Sequence, residues 1–98
     1  MIPGITEQEE KTIVNILTPY KDKFSFYYYG SRVKGNFEKT SDLDILIKGK
    51  EQMPFMTLQT LKSIFDVSNL PYVVNFSDYH LISKDFYESI KTSIVSCI

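Results

Sequence analysis

The sequence has no tryptophan, one histidine (His80) and one cysteine, Cys97. A single cysteine excludes an internal disulfide and a cysteine-based zinc site. Cys97, in an apolar run, reads instead as a small packed hydrophobe. Neither sign of charge dominates: 11 Lys and Arg face 12 Asp and Glu, so the net charge of -1 gives no general attraction to nucleic acid or an anionic membrane. Direct nucleic-acid binding is therefore not expected. An anionic ligand would have to be met locally, by backbone amides, a metal and one or two basic side chains. No apolar stretch approaches membrane-spanning length. The start, Met1 to Glu10, lacks the basic end and apolar core of a signal peptide, so a cytoplasmic setting is expected. Repeats and low-complexity tracts are also missing.

What remains is an ordinary globular mixture: 43% hydrophobic and 23% charged over 98 residues, enough for one domain spanning 1–98 and not for two. A domain of this size buries a limited fraction of its surface, so support from a partner subunit would not be surprising.

Thr6-Glu7-Gln8-Glu9 is a capping box, and the helix it opens carries Ile13, Val14, Ile16 and Leu17 in an amphipathic pattern that Pro19 ends. Phe24 to Tyr29, aromatic apart from Ser25, predicts a strand stopped by Gly30. Ser31 to Lys34 fits a short helical turn closed by Gly35, and Asn36 to Ser41 reads as loop. Leu43, Ile45 and Ile47 alternate with Asp42, Asp44 and Leu46, the period of two of a strand, up to Gly49. Pro54 opens a helix whose apolar face is Phe55, Met56, Leu58, Leu61, Ile64 and Phe65. After Pro71, Tyr72 to Phe76 returns to strand. Ser83 then caps a last helix with Phe86, Tyr87, Ile90 and Ile94 along one side.

The chemistry lies in the middle. A strand that ends in Gly30 and continues into Ser31 at a helix start offers free amides to a phosphate, although a turn with an N-cap has the same look. Asp42 and Asp44, two apart on a strand, leave the same face with Cα atoms roughly 6–7 Å apart. They repel unless a cation lies between them, and oxygen ligands so arranged suit Mg²⁺; the alternative is that both face solvent at the strand's start.

Taken together, Tyr29-Gly30-Ser31-Arg32-Val33-Lys34-Gly35, a six-residue loop, and Ser41-Asp42-Leu43-Asp44-Ile45-Leu46-Ile47 resemble the signature of the DNA polymerase beta-like nucleotidyltransferase superfamily. Within it the short chain is similar to the minimal nucleotidyltransferases, the MNT family. The resemblance implies a small α/β nucleotidyltransferase fold, a three-stranded mixed sheet packed with helices in α-β-α-β-α-β-α order. It implies that Gly30 and Ser31 hold the triphosphate of ATP or another NTP, with Arg32 or Lys34 as cationic help; solvated surface charge is the alternative for those two. Asp42 and Asp44 would bind two Mg²⁺ about 3.5–4 Å apart. The implied reaction is transfer of a nucleotide, AMP from ATP, to a hydroxyl on another protein. The implied partner is a small helical protein of the HEPN type, with this chain the antitoxin of a toxin–antitoxin pair.

The pattern departs from the family at one place. Where members carry a third carboxylate on the next strand, this chain has Asn75, which can offer a carbonyl oxygen to a metal but cannot accept a proton. A positioned base is worth about 10²–10⁴ in rate. The change therefore points either to a slowed enzyme or to a nucleotide-binding module that neutralises its partner by complex formation. Asp78, three residues on, would need a bulge to reach the site. His80 reads as structural, and Tyr28 or Tyr29 as a possible contact for a base.

Overall fold

A computed structural model describes residues 2–98. Thr6 opens helix α1 (Glu7–Leu17) through the expected capping box: its hydroxyl accepts from the Glu9 amide at 3.1 Å and the Glu9 carboxylate accepts from the Thr6 amide at 3.0 Å. Pro19 lies inside a 3₁₀ turn, Thr18–Tyr20, that finishes the helix. Strand β1 (Phe24–Tyr29) and the single-turn helix α2 (Ser31–Lys34) follow, with the bounds that the residue pattern predicts. Strand β2 (Leu43–Gly49) starts one residue later than expected and leaves Asp42 just outside it, because the ladder with β1 ends at Asp44 and that with β3 at Leu43. Gly35 closes α2 at φ 85°, a left-handed position that suits glycine.

Pro54 precedes α3 (Phe55–Asp66), and Ser83 caps α4 (Lys84–Ile90) by accepting from the Phe86 amide. Strand β3 is Val74–Asp78, two residues later than Tyr72 to Phe76 suggests, because pairing with β2 rather than local preference sets its start. Ile94 is not on α4, which ends at Ile90. The chain then turns into a short strand β4 (Val95–Ser96) along β1, with Cys97 donating to the Phe26 carbonyl at 2.8 Å. The sheet therefore has four strands, not three, in the order β3-β2-β1-β4. The β2–β3 pair is parallel and the other two are antiparallel. A two-residue strand carries no alternation long enough to distinguish it from a helix tail, which is why it escapes the sequence.

Alternation along the strands gives the sheet two faces. Phe26, Tyr28, Leu43, Ile45 and Ile47 point to one and form the main core with Ile13 and Leu17 of α1 and Leu61 and Phe65 of α3. Tyr29 and Leu46 point to the other, where Ile90 of α4 covers them. The apolar face expected of α3 is only partly used: Leu61 and Phe65 are buried, whereas Phe55, Met56 and Ile64 are exposed. No described helix is long and apolar enough to cross a membrane.

Candidate active site

Antiparallel pairing places Tyr29 opposite Asp44, so the residue after Tyr29 must turn away directly over the Asp44 carboxylate. That residue is Gly30, at φ 87° and ψ -160°, a conformation essentially reserved for glycine. A Cβ on Gly30 would collide with Oδ2 of Asp44. The two halves of the sequence signature are thus brought into contact by β1–β2 pairing, and glycine is required there both by backbone angle and by space. Ser31, half-buried, begins α2; the first helical bonds run from the Val33 and Lys34 amides to the Gly30 carbonyl, both 3.2 Å. The Ser31 and Arg32 amides precede those bonds, at the open end of the turn.

Parallel pairing of β2 with β3 sets Asn75 beside Asp44. Its side-chain Nδ2 donates to Oδ2 of Asp42 at 2.8 Å. Asp42 is exposed and Asp44 half-buried. Burial pushes the Asp44 carboxyl above its ordinary value. The Asn75 amide pulls it down in part, and the negative charge of Asp42 pushes it up again. Behind Asp44, the Tyr29 hydroxyl and Ser77 Oγ share a hydrogen bond of 2.8 Å.

These residues fit a hard divalent cation. The donors are oxygens: two carboxylates and, if its amide turns over, the Asn75 carbonyl. Burial first, and the Asp42 charge after it, disfavour the ionised Asp44 carboxyl, and a bound cation would offset both. Among the described residues no group of three or more His, Cys, Asp or Glu side chains gathers, so a cation here would complete its shell with phosphate and water oxygens.

The remaining expectations divide. Lys34 is exposed on α2 and open to an anionic ligand. Arg32 is not: it is 4% exposed, and its guanidinium donates to the main-chain carbonyls of Gly4, Ser41, Lys39 and Glu38. The expected phosphate contact from Arg32 is corrected on that ground. Asp78 is no substitute carboxylate. It pairs with Ile47, three positions along the ladder from Asn75, and its buried carboxylate accepts from the Met53 amide at 2.8 Å and the His80 amide at 2.9 Å. His80 binds the Gly49 carbonyl through Nε2, 2.8 Å, at the same far end of β2. Tyr28 is buried in the main core with its hydroxyl on Glu10, so it cannot meet a base.

A family model described as Polymerase beta, Nucleotidyltransferase matches residues 11–96. The chain belongs to this nucleotidyltransferase family. The match runs from α1 to β4 and so includes the Gly30-Ser31 turn, both aspartates and Asn75. Among relatives of this nucleotidyltransferase is the Probable protein adenylyltransferase MntA of Haemophilus influenzae, 40% identical over 81 residues, which make up 83% of this chain and 68% of that protein. Solved structures share the fold. A toxin–antitoxin with AMP-PNP matches at TM-score 0.73 and 21% identity, over 91% of this chain and 72% of that one. A complex of tri-AMPylated Shewanella oneidensis HEPN toxin with MNT antitoxin matches at TM-score 0.64 and 19% identity, over 96% and 72%.

Proposed function

We propose that this nucleotidyltransferase acts as an MNT antitoxin: it binds ATP with Mg²⁺ and transfers AMP to a hydroxyl on a HEPN-type partner protein, in the cytoplasm, with residues 1–98 working as one domain. The observation that carries the reading is the seating of the Gly30 turn against the Asp44 carboxylate. That contact supports reading the turn as the phosphate-binding backbone and the carboxylate as the cation ligand beside it. The 40% identity to a protein named as an adenylyltransferase supports the nucleotide assignment, and the shared fold with toxin–antitoxin complexes supports the partner.

In this reading the Ser31 and Arg32 amides and the exposed Lys34 ammonium hold the triphosphate. Asp42 and Asp44 would hold Mg²⁺, two ions in the full arrangement, which when bound would supply neutralisation of the phosphate charge and polarisation of the α-phosphorus. The partner's hydroxyl oxygen forms the new P–O bond, the bond to the β-phosphate oxygen breaks, and pyrophosphate leaves. The hydroxyl proton passes to solvent, since the Asn75 amide cannot accept it. The hydrogen bond from Asn75 keeps Asp42 turned toward the cation position.

Asn75 also favours a second reading, in which the nucleotide is bound without turnover and the partner is neutralised by complex formation. Incubating the protein with α-labelled ATP, Mg²⁺ and a HEPN-type partner separates the two. Label on the partner, lost in Asp42→Ala, supports transfer. A stable complex that takes up no label overturns transfer and leaves the binding module.

A further inference from the structure

Arg32 follows Ser31 in the phosphate turn, yet its side chain runs away from the turn into the protein. Nε donates to the Ser41 carbonyl at 3.0 Å, Nη2 to those of Lys39 at 3.2 Å and Glu38 at 3.5 Å, and Nη1 to that of Gly4. The guanidinium carbon lies 4.2 Å from the Tyr72 ring centroid and 5.1 Å from that of Phe37. Tyr72 in turn donates to Glu9 Oε1 at 3.1 Å, the oxygen that accepts from the Thr6 amide in the α1 cap. The backbone at Gly4 is pressed so close that a Cβ there would stand 2.6 Å from Cβ and 2.7 Å from Cγ of Arg32.

One buried side chain therefore joins the segment before α1, the entry to β3 and the loop ahead of β2. That loop needs fixing. Residues 36–41 form no regular element, and ordering a residue's backbone costs about 1–2 kcal/mol. Asp44 is held by the β2 ladder, but Asp42 lies one residue outside the strand, at the end of this loop. Its place relative to Asp44 depends on where Ser41 is held.

We propose that the Arg32 side chain positions the carboxylate pair: by gripping the carbonyls of residues 38, 39 and 41 its guanidinium fixes Asp42 beside Asp44, without itself touching the nucleotide. The inference rests on the reading of Asp42 and Asp44 as the cation ligands. Lysine is no equivalent, because a single ammonium cannot span diverging carbonyls or stack flat on Tyr72.

The test is Mn²⁺ binding to the full chain, followed by electron paramagnetic resonance well below the unfolding temperature of each variant. Arg32→Lys changes the clamp itself; Gly4→Ala keeps the arginine and pushes it out of place. Both are expected to weaken Mn²⁺ binding by about 10- to 100-fold while circular dichroism shows a folded chain, the scale seen when a residue supporting a metal ligand is lost. A merely structural role lowers the melting temperature and leaves the affinity of the folded protein unchanged, and that result overturns the proposal. If Arg32→Lys does not fold, Gly4→Ala decides by the same criterion. Failure of the unsubstituted protein to bind Mn²⁺ removes the cation site itself, an outcome distinct from equal binding by all three proteins.

Discussion

Nδ2 of Asn75 lies 2.8 Å from Oδ2 of Asp42, so an amide hydrogen occupies the place where a third carboxylate would meet the first. The bond quiets the repulsion between Asp42 and Asp44 and leaves the site without a proton acceptor at that position.

Restoring the carboxylate tests what the amide costs. Asn75→Asp is expected to raise the rate of AMP transfer by about 10² or more, within the range of a positioned general base. The same change sets three carboxylates together, so without Mg²⁺ its melting temperature should fall below that of the unsubstituted protein and recover on adding Mg²⁺. Transfer assays and thermal scans with and without the cation check both halves. An unchanged rate would mean that the proton is not handled at this position.

The two glycines of positive φ make a matched pair. Gly35→Ala meets open space and carries only the backbone penalty, about 1–2 kcal/mol. Gly30→Ala carries a strain of about 1–3 kcal/mol and also displaces the Asp44 carboxylate. Both variants should melt earlier, by about 4–8 °C per kcal/mol. Only Gly30→Ala should lose Mn²⁺ and ATP binding, measured by titration calorimetry at a temperature where both are folded.

Asp44 gives a pH dependence with a definite sign. Burial raises its folded carboxyl above the ordinary 3.8, so the folded protein holds this proton more tightly than the unfolded chain. Its ionisation therefore destabilises the metal-free fold at neutral pH, and the penalty is relieved as the pH falls through the raised value toward 3.8. Asp44→Asn should accordingly melt higher than the unsubstituted protein at pH 7 without metal. The gap should close as the pH drops through that window, and Mg²⁺ should stabilise only the protein that keeps Asp44. Calorimetric scans across pH read out the difference.

Asp78 separates fold from chemistry. Asp78→Ala leaves the buried Met53 amide without its acceptor, at about 1–3 kcal/mol, and frees the part-buried His80 amide, which water can reach. A clear drop in melting temperature is expected, with ATP and Mn²⁺ affinity unchanged in the folded protein. Loss of transfer with stability intact would instead give Asp78 the proton-accepting role that its place at the far end of β3 denies it.

Much of the molecule was legible one residue at a time. The Thr6 capping box, the aromatic run of β1, the turn from Gly30 to Gly35 and the alternation from Leu43 to Ile47 are local patterns, and local hydrogen bonding with side-chain alternation is enough to set them. The Asp42–Asp44 pair stood out by its spacing, while the departure at Asn75 was readable only against the family pattern that the chain resembles. Tertiary structure decided the rest. The side chain of Arg32 looks like a free cation beside a phosphate turn until Gly4, 28 residues away, and Tyr72, 40 away, close around it. Asp78 looks like a spare carboxylate until Met53 claims it, and β4 exists only because β1 leaves an edge for Val95 and Ser96 to pair with. Such contacts depend on which distant segments the packed sheet brings together, and no local period in the sequence records that.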